Sequence, residues 1–581
     1  MKMMASGYIS HKFFPIPEIF KYSQVLIIYE KEFSDYYKME QNIEKILGDK
    51  VSFYLTRENQ PSNLTFTNEI NQHKSMADIF PVIFLAVAFL TILTTMKRII
   101  NKQRLQIGIL KALGFKNRKI LIHYVSYGFA ISLIASMLGA VLGPLILPQL
   151  FYPSMSSFYT LPEWKPSINS SFVILGMIIT LMVGLEIIIS CYKILKEKPV
   201  ESLKPKKIKI PKKSFIENFV FWNKCNFNTR YNIRDISRNK TRSTMAIIGS
   251  FGVTALLVCA FGMNENMNIL GRWVYEDINT FNTKIEISEM LSDKQILEIK
   301  EKCNGEEVVE GQIEIKIDEE KVATGLKVLD EESKLIKLTD KDTKVIELSK
   351  DDVAITYKIS QKYGINIGDT IRWHIYGSPN WVEAEITKIN RDPMSQGITI
   401  YKNTYEDLGY EFKPTSIITM KKDIENIYGI KTIKSISDLR DSFDELTEAM
   451  NLMVYILVIA AVLLAVVVTY NLGILYFAET EREFATLKVL GMKTKKIFKL
   501  LVTQNIFLSF VGFIGGIPTG KWIMDVIASM NGDAFDMTTI VSVKNMVMSG
   551  AIVIGLLVIV NLIFLPKIKK INMVESLKGL E

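Results

Sequence analysis

The sequence is poor in the residues that build disulfides and metal sites. It has four cysteines and four histidines among 581 residues. Cys191, Cys225 and Cys259 fall in or beside apolar and basic stretches, which leaves Cys303 alone in the large polar region. One thiol cannot close an intramolecular disulfide, and the histidines lack ligand spacing. We therefore expect no disulfide framework and no metal site.

Ionisable residues are scarce inside the apolar segments. A secondary transporter is expected to have several coupled ionisable residues at mid-membrane, so this scarcity argues against a secondary transporter or a stand-alone receptor. The exception is Glu186, about two helical turns from the end of its segment. An intramembrane acid is a functional candidate by default. Snorkelling, or pairing with Lys193, is the alternative that the sequence leaves open.

Apolar residues are concentrated in seven blocks, and each block is long enough to cross a membrane. A hydrocarbon core of ~30 Å needs ~20 helical residues. These blocks predict a polytopic α-helical membrane protein with seven spans. They lie near Ile79–Ile99, Ile122–Leu147, Phe172–Tyr192, Met245–Met263, Leu452–Phe477, Leu500–Gly520 and Asn545–Leu565.

The net charge of +9 comes from loops beside these spans. The segment from Lys97 to Lys119 has eight lysines and arginines and no acidic residue. Such loops face the cytoplasm under the positive-inside rule, and alternation along the spans then places Asn264–Met450 outside. We therefore expect Cys303 to be labelled from outside by an impermeant thiol reagent and Cys225 to be protected. The charge indicates topology, and no nucleic-acid partner is expected.

The chain contains an internal repeat. ILKALGFKNRKI at Ile109–Ile120 returns as TLKVLGMKTKKI at Thr486–Ile497, an offset of 377 residues. VESLK at Val200–Lys204 returns at Val574–Lys578. Paired repeats in a membrane protein are typical of two half-bundles around one pathway or pivot. We expect two permease units of three spans each, at 76–193 and 451–581.

Two glycine pairs belong to this repeat. Gly139 and Gly143 are separated by three residues, and the same spacing returns at Gly516 and Gly520. Small residues at this spacing let membrane helices approach closely. We expect both pairs to be helix-packing sites.

The remaining regions complete the predicted organisation. Residues 194–243 form a basic cytoplasmic linker, and 244–263 form the first span of the second unit. Region 264–450 has short β-rich runs, such as Val353–Ile359, Thr370–Ile375 and Gly397–Tyr401, between helical patches such as Asp293–Cys303. This pattern predicts an extracellular α+β domain with its own core.

This domain is expected to end in a long stalk helix. Ser437 is a candidate N-cap, and no glycine or proline follows until Gly473. About 35 helical residues span ~52 Å, which exceeds the membrane core, so the excess should project outward. A stripe on this helix suits packing against a second stalk helix; it consists of Leu439, Phe443, Leu446 and Met450.

The repeated cytoplasmic loops are the most specific functional signal. Each contains an amphipathic segment that ends at a glycine, Lys102–Gly114 in the first copy and Thr480–Gly491 in the second. We call these the docking segments, because such a helix suits a groove on a cytoplasmic partner. The alternative is an amphipathic connector that faces lipid.

The sequence resembles the FtsX-like, MacB-like permeases of ABC transporters. Arg482–Lys488 fits that family's motif RE-(I/F)-(G/A)-x-L-(K/R), and the first copy has Gln106 in place of the acid. Lys198–Lys204 fits the family's second motif, P-x-E-(S/A)-L-(K/R), and Asn572–Lys578 fits it without the proline. In that family, units of four spans carry a large extracellular domain between the first and second spans.

The resemblance implies that a separate cytoplasmic ABC ATPase, acting as a dimer, binds ATP and Mg, so this chain would have no catalytic residue and no cofactor. It implies a bacterial plasma membrane and an extracellular peptide, lipid or lipoprotein as substrate. The runner-up is a mechanotransmission subunit that activates an extracellular hydrolase or sensor. The expected ATPase contacts are Gln106, Ile107, Leu110, Lys111, Glu483, Phe484, Leu487 and Lys488.

Comparison of the two copies predicts eight spans in the full form. Met1–Ser75 would then be the remnant of a first extracellular domain, and the eighth span would be encoded upstream or by another polypeptide. A Walker A-like stretch at Gly515–Lys521 is not expected to bind nucleotide, because Trp522 replaces the Ser or Thr that would reach Mg²⁺.

Overall fold

The structure is a computed structural model of the chain. It describes residues 60–571 except 160–162, 168–169, 289, 318–319, 332, 376–377, 379, 425–427, 530–534 and most of 201–225, with a few isolated residues before 60. Apart from Val200, both VESLK copies lie outside the described residues, as does most of Met1–Ser75. The chain divides into two compact units. The helical unit comprises Asn71–Ile269, Leu446–Met530 and Met537–Glu581, and the sheet unit comprises Met1–Ile70, Leu270–Glu445 and Asn531–Asp536.

Among the described residues, seven helices are long and apolar enough to cross a membrane, which confirms the seven predicted spans. In the chain-order numbering given in the next sentence, these seven helices are α1, α3, α4, α6, α10, α11 and α12. The helices are α1 Pro61–Lys102, α2 Arg104–Ala112, α3 Asn117–Phe158, α4 Ser170–Leu195, α5 Phe227–Arg238, α6 Lys240–Arg272, α7 Asp293–Cys303, α8 Tyr357–Tyr363, α9 Lys402–Asp407, α10 Ile436–Val489, α11 Thr494–Ser529, α12 Val543–Leu562 and α13 Phe564–Lys569.

Helix α6 is the most enclosed span of the helical unit. In the apolar stretch of 18 residues in α6, 78% of the residues are buried inside the protein, whereas none of the residues in the corresponding stretch of α3 is buried. Leu256 and Leu257 of α6 pack in one apolar cluster with Phe80 of α1, Ala461 of α10 and Ile523 of α11. Close packing of this kind is what holds helices together where lipid is as apolar as the side chains.

The sheet unit is built on a mixed sheet, as the α+β prediction required. Among the described residues, ten strands form one sheet. Eight of them follow the order β12-β1-β11-β2-β3-β10-β6-β9, and β7 pairs with both β2 and β8. Strands β4 and β5 pair in a separate two-stranded sheet. The strands are β1 Thr283–Ile287, β2 Glu306–Ile317, β3 Glu320–Leu329, β4 Leu338–Thr339, β5 Val345–Ile346, β6 Val353–Thr356, β7 Thr370–Ile375, β8 Val382–Glu385, β9 Lys388–Asn390, β10 Gly397–Tyr401, β11 Ser416–Thr419 and β12 Ile430–Ser435.

Sequence patterning located most of these strands, but it misjudged one run and did not predict β4, β5 or β12. The predicted run Val353–Ile359 is a strand only to Thr356, after which α8 begins and continues to a left-handed Gly364. A short apolar run fits a strand and a buried helical turn equally well. Strand β12 was not predicted, because its residues alternate with lysine and pair with β1 alone at the sheet edge.

The cap of α10 also differs from the prediction. Ser435, and not Ser437, is the capping residue: its hydroxyl accepts from the Asp438 N–H at 3.0 Å, and its own N–H donates to the Asp438 carboxylate at 2.9 Å. This reciprocal pair satisfies two donors at the helix start. Helix α10 then continues for 54 residues, about 81 Å at ~1.5 Å per residue.

The four residues of the predicted stalk stripe fall in both units. In the sheet unit, Leu439 packs beside Trp273, and the Phe443 ring lies 5.8 Å from that of Tyr275. Phe443 also covers Gly271, whose added Cβ would lie 2.9 Å from the ring. In the helical unit, Met450 packs against an apolar cluster. The side chain of Leu446 is outside the described residues.

Candidate coupling site

The two docking segments end in the same local structure. Gly114 and Gly491 have φ of +86° and +87°, a left-handed conformation that glycine adopts without strain. Just beyond, the Phe115 N–H donates to Leu110 O at 3.0 Å, and the Met492 N–H donates to Leu487 O at 2.9 Å. Both are Schellman ends. The prediction that glycine terminates each segment is confirmed.

Each docking segment is held to the helical unit by one buried apolar side chain. Ile107 is 1% exposed and packs among Ile100, Ile120 and Ile187. Its repeat equivalent, Phe484, is 0% exposed and packs with Ile497, Leu501 and Ile568. These two residues were expected to touch the ATPase. Both side chains are covered by the chain's own helices and act as anchors, and an ATPase contact at these positions stays a prediction.

The repeated lysines tie each segment to the last helix of its own unit. The Lys111 ammonium donates to the carbonyl oxygen of Leu195 at 2.8 Å and to that of Glu197. Lys488 donates in the same way to Ile568 O at 3.2 Å and Lys569 O at 3.1 Å. Carbonyls at a helix C-terminus carry partial negative charge and favour a cation. Both lysines are thus engaged within the chain, and the ATPase contact expected of them stays a prediction.

Each segment exposes large apolar side chains near its glycine end, and these were only partly identified from the sequence. Gln106 is exposed, and Leu110 and Leu487 are partly buried. The most exposed large side chains are Leu113 at 71% and Leu490 at 76%. They lie one residue before each glycine and occupy equivalent repeat positions. The presence of leucine at both positions is the sequence feature that could have identified these two residues.

The second docking segment is also held by a buried ionic network. Asp235 of α5 is 2% exposed and accepts from Arg238 at 2.9 Å, from Gln504 of α11 at 2.9 Å, and from Arg242 of α6. Arg242 is 5% exposed and also binds Glu479 at 2.9 Å. Three helices therefore meet at one carboxylate. Sequence reasoning missed Asp235, because its partners lie up to 269 residues away.

Glu483 connects the second segment to the same network. Its carboxylate accepts from Arg238 at 2.5 Å and from the Tyr231 hydroxyl at 2.8 Å. Burial raises the pKa of Tyr231, so the hydroxyl stays protonated and donates. The Arg242 guanidinium lies 4.3 Å from the centre of the Tyr476 ring, within the range of cation–π attraction.

The first docking segment has none of these acids. Repeat positions of Glu479, Glu483 and Gln504 are occupied by Lys102, Gln106 and Tyr127. The first segment is instead tied by Arg104, whose Nε lies 2.7 Å from a Glu197 carboxylate oxygen. The two segments therefore share the anchor and the lysine tie and differ in their ion pairs.

The two glycine pairs have different environments. A Cβ on Gly516 would lie 2.8 Å from Phe251 O, and one on Gly520 would lie 2.9 Å from Ala255 O, so α11 and α6 touch through their backbones. Gly139 and Gly143 have no described atom within 4 Å of an added Cβ. The expectation of helix packing at the first pair is therefore not met by any described helix.

Two other sequence features are also located by the structure. The Walker A-like stretch Gly515–Lys521 lies inside the continuous helix α11. Glu186 is 2% exposed, and its carboxylate oxygens have no hydrogen-bond partner among the described residues. This contradicts snorkelling of Glu186 to the interface.

Seven potential spans, arranged as a duplicated set of three helices with α6 between them, together with a mixed-sheet unit, define a multi-pass membrane protein. Comparison with protein families identifies the repeat. The FtsX-like permease C-terminal family matches residues 79–199 and again residues 455–573. The two repeated regions thus match those of an FtsX-like permease with two repeated units. Such permeases are membrane subunits that usually work with a cytoplasmic ATPase and are not themselves enzymes. No curated protein matches the chain significantly.

Proposed function

We propose that this chain is the permease subunit of an ATP-driven ABC transporter, in which a dimeric cytoplasmic ATPase pushes on the two docking segments. The carrying observation is their common construction: a buried anchor, a lysine tie, an exposed leucine and a glycine end. A connector that only faced lipid would need no tie to the last helix of its unit. A segment that transmits force would need such a tie, because its displacement must reach the membrane-spanning helices.

The ties define the route by which force would travel. Displacement of the first segment would move the end of α4 through Lys111, and displacement of the second would move α13 through Lys488. The network at Asp235 would carry the second displacement to α5 and α6 as well. Because the second segment is the end of the uninterrupted α10, it would also carry motion along that helix toward Ile436.

In this proposal, the sheet unit faces the outside of a bacterial plasma membrane, and the substrate is a peptide, lipid or lipoprotein that is exported or extracted. The length of α10 favours a second candidate within the same architecture. A stiff helix of 54 residues can pass ATPase strokes to an extracellular hydrolase or sensor without moving a substrate. The two differ in what stimulates ATP hydrolysis: a lipopeptide, peptide or lipoprotein substrate, or the extracellular partner.

The test is to replace Leu113 and Leu490 together with aspartate in the full-length chain. Charges at the exposed apolar positions should prevent seating in the ATPase groove, since burying an unpaired carboxylate is costly. We expect the ATPase that co-purifies with the unaltered chain to be lost, together with ATP hydrolysis. Leu297→Asp is the matched control, because Leu297 is a 51% exposed leucine of the sheet unit. Unchanged ATPase binding in the double variant would contradict the proposal.

A further inference from the structure

Within the helical unit, α1 of the first repeat and α10 of the second are joined by polar contacts. The Asn471 side-chain N–H of α10 donates to Thr91 O at 3.2 Å, and the Thr95 hydroxyl of α1 lies 3.0 Å from the Asn471 side-chain oxygen. Thr91, Thr95 and Arg98 are at positions i, i+4 and i+7, so they share one face of α1. Arg98 therefore continues this contact toward the C-terminal end of α1.

Arg98 is a cation without an anion. Its side chain is partly buried, and its Nη1 atom is enclosed with no hydrogen-bond partner among the described residues. The ionisable group close enough to act on it is Tyr470 of α10, and no described carboxylate does so. A charged donor that has left water without finding an acceptor costs free energy. An anion beside Arg98 would remove that cost.

Tyr470 has a second cation over its ring. The Lys567 ammonium of α13 lies 5.7 Å from the centre of the Tyr470 ring and 5.2 Å from that of Phe564. The two rings are 5.9 Å apart, and Phe564 is 0% exposed and packs on Gly473 of α10. This packing fixes α13 against α10. The Lys567 side chain is exposed and pairs with no described carboxylate.

These three side chains lie at the ends of spans. Arg98 is near the end of α1 at Lys102, and Lys567 belongs to α13, which follows the span α12. Tyr470 is 39% exposed. Tyrosine is enriched where a membrane meets water, and lysine and arginine extend their charged ends into the headgroup layer. Two cations and a phenol without a described acid select an anion, and at this depth the anion is that of a lipid.

We propose that Arg98, Tyr470 and Lys567 bind the phosphate of an anionic phospholipid. Basic pockets between membrane helices are a recurrent kind of headgroup site. The guanidinium and the ammonium donate charge-assisted hydrogen bonds to the phosphate oxygens, and the phenol donates another. Because α1 belongs to the first repeat and α10 and α13 to the second, the lipid bridges the two permease units. Binding does not depend on the ATPase proposal.

The experiment is native mass spectrometry of the full-length chain in a neutral detergent, with phosphatidylglycerol as the probe and phosphatidylcholine as the comparison. The phosphate of phosphatidylglycerol gives that lipid a net negative charge, whereas choline neutralises the phosphate of phosphatidylcholine. We expect the first phosphatidylglycerol to bind about tenfold more tightly or better, as two cations beside one anionic headgroup require. This preference should fall as salt rises.

Variants separate the site from the overall charge. Arg98→Gln with Lys567→Gln should reduce the preference for phosphatidylglycerol about tenfold. Lys495→Gln with Lys496→Gln is the matched control, because it removes two exposed lysines at the start of α11, and it should leave the preference nearly unchanged. Tyr470→Phe keeps the ring and should weaken binding less than the double variant. Lys567 is exposed, so Lys567→Gln alone decides should the double variant fail to fold.

Three outcomes would overturn the proposal. One is equal affinity of the unaltered chain for the two lipids. Another is an equal preference for phosphatidylglycerol in the site variant and the control variant, which would make the effect one of overall charge. The third is displacement of bound phosphatidylglycerol by inorganic phosphate in solution, which would make this a site for the free anion. Failure of the ATPase experiment would leave all three readouts unaffected.

Discussion

Replacing Asp235 with asparagine tests how much the ionic network contributes to the helical unit. Asp235 accepts hydrogen bonds from Arg238, Arg242, Asn239 and Gln504 and is 2% exposed. Asparagine keeps the shape of the side chain but removes its charge. Arg242, itself 5% exposed, would then lose its most buried counter-ion.

The expected loss in the free energy of unfolding depends on which carboxylates remain beside each arginine. Removing one partner of a buried ion pair costs ~3–5 kcal/mol. Arg242 would keep Glu479 at 2.9 Å, and Arg238 would keep Glu483 at 2.5 Å, so neither guanidinium is left without a carboxylate. We therefore expect the lower end of the range, a loss of about 3 kcal/mol in the free energy of unfolding.

The assay is reversible unfolding of the detergent-solubilised chain, followed by tryptophan fluorescence. The matched control is Glu298→Gln, which breaks the exposed pair of Glu298 with Lys302 one turn away, and we expect no measurable change there. In a double-mutant cycle, Asp235→Asn and Arg242→Gln should be non-additive, because the two side chains are in contact. A loss below about 1 kcal/mol for Asp235→Asn, or strict additivity, would refute a buried network.

Two further predictions concern topology and helix packing. Natural Cys303 is 3% exposed and cannot report topology as expected from the sequence. In a Cys225→Ser background, Met290→Cys should instead be labelled in intact cells by an impermeant reagent, and Leu490→Cys only after lysis; the reverse pattern would overturn the orientation. Gly516→Ala should destabilise the helical unit by ~1–3 kcal/mol in the unfolding assay, because its Cβ would press on α6. Gly139→Ala should be neutral or slightly stabilising, and equal losses would contradict the observed difference.

Local features were predictable from the sequence because their causes are local. The length of an apolar run decides whether a helix can cross a membrane, and the seven runs appear as seven such helices. Gly114 and Gly491 end the docking segments because a left-handed residue is needed there. Helix α7 and strands β7 and β10 have the predicted bounds, since amphipathic period and turn residues act over a few positions.

The side chains that face the rest of the chain, and the helices that they contact, could not be predicted in this way. The period of a docking segment identifies its apolar positions but not which of them the rest of the chain covers. Packing against the neighbouring helices buries Ile107 and Phe484 and leaves Leu113 and Leu490 exposed. The two glycine pairs have the same spacing in the sequence. Among the described helices, however, α6 packs on Gly516 and Gly520, and no helix packs on Gly139 and Gly143.

The sequence by itself determined the membrane class, the duplicated unit and the position of both docking segments, because run length, repetition and glycine placement are properties of short stretches. Only the tertiary structure decided the network at Asp235 and the burial of Ile107 and Phe484. Asp235 acts through α6 and α11, and the two anchors are covered by helices from other parts of the chain. These sites are made by residues far apart in the chain, and their chemistry exists only once the fold has placed the side chains within reach of one another.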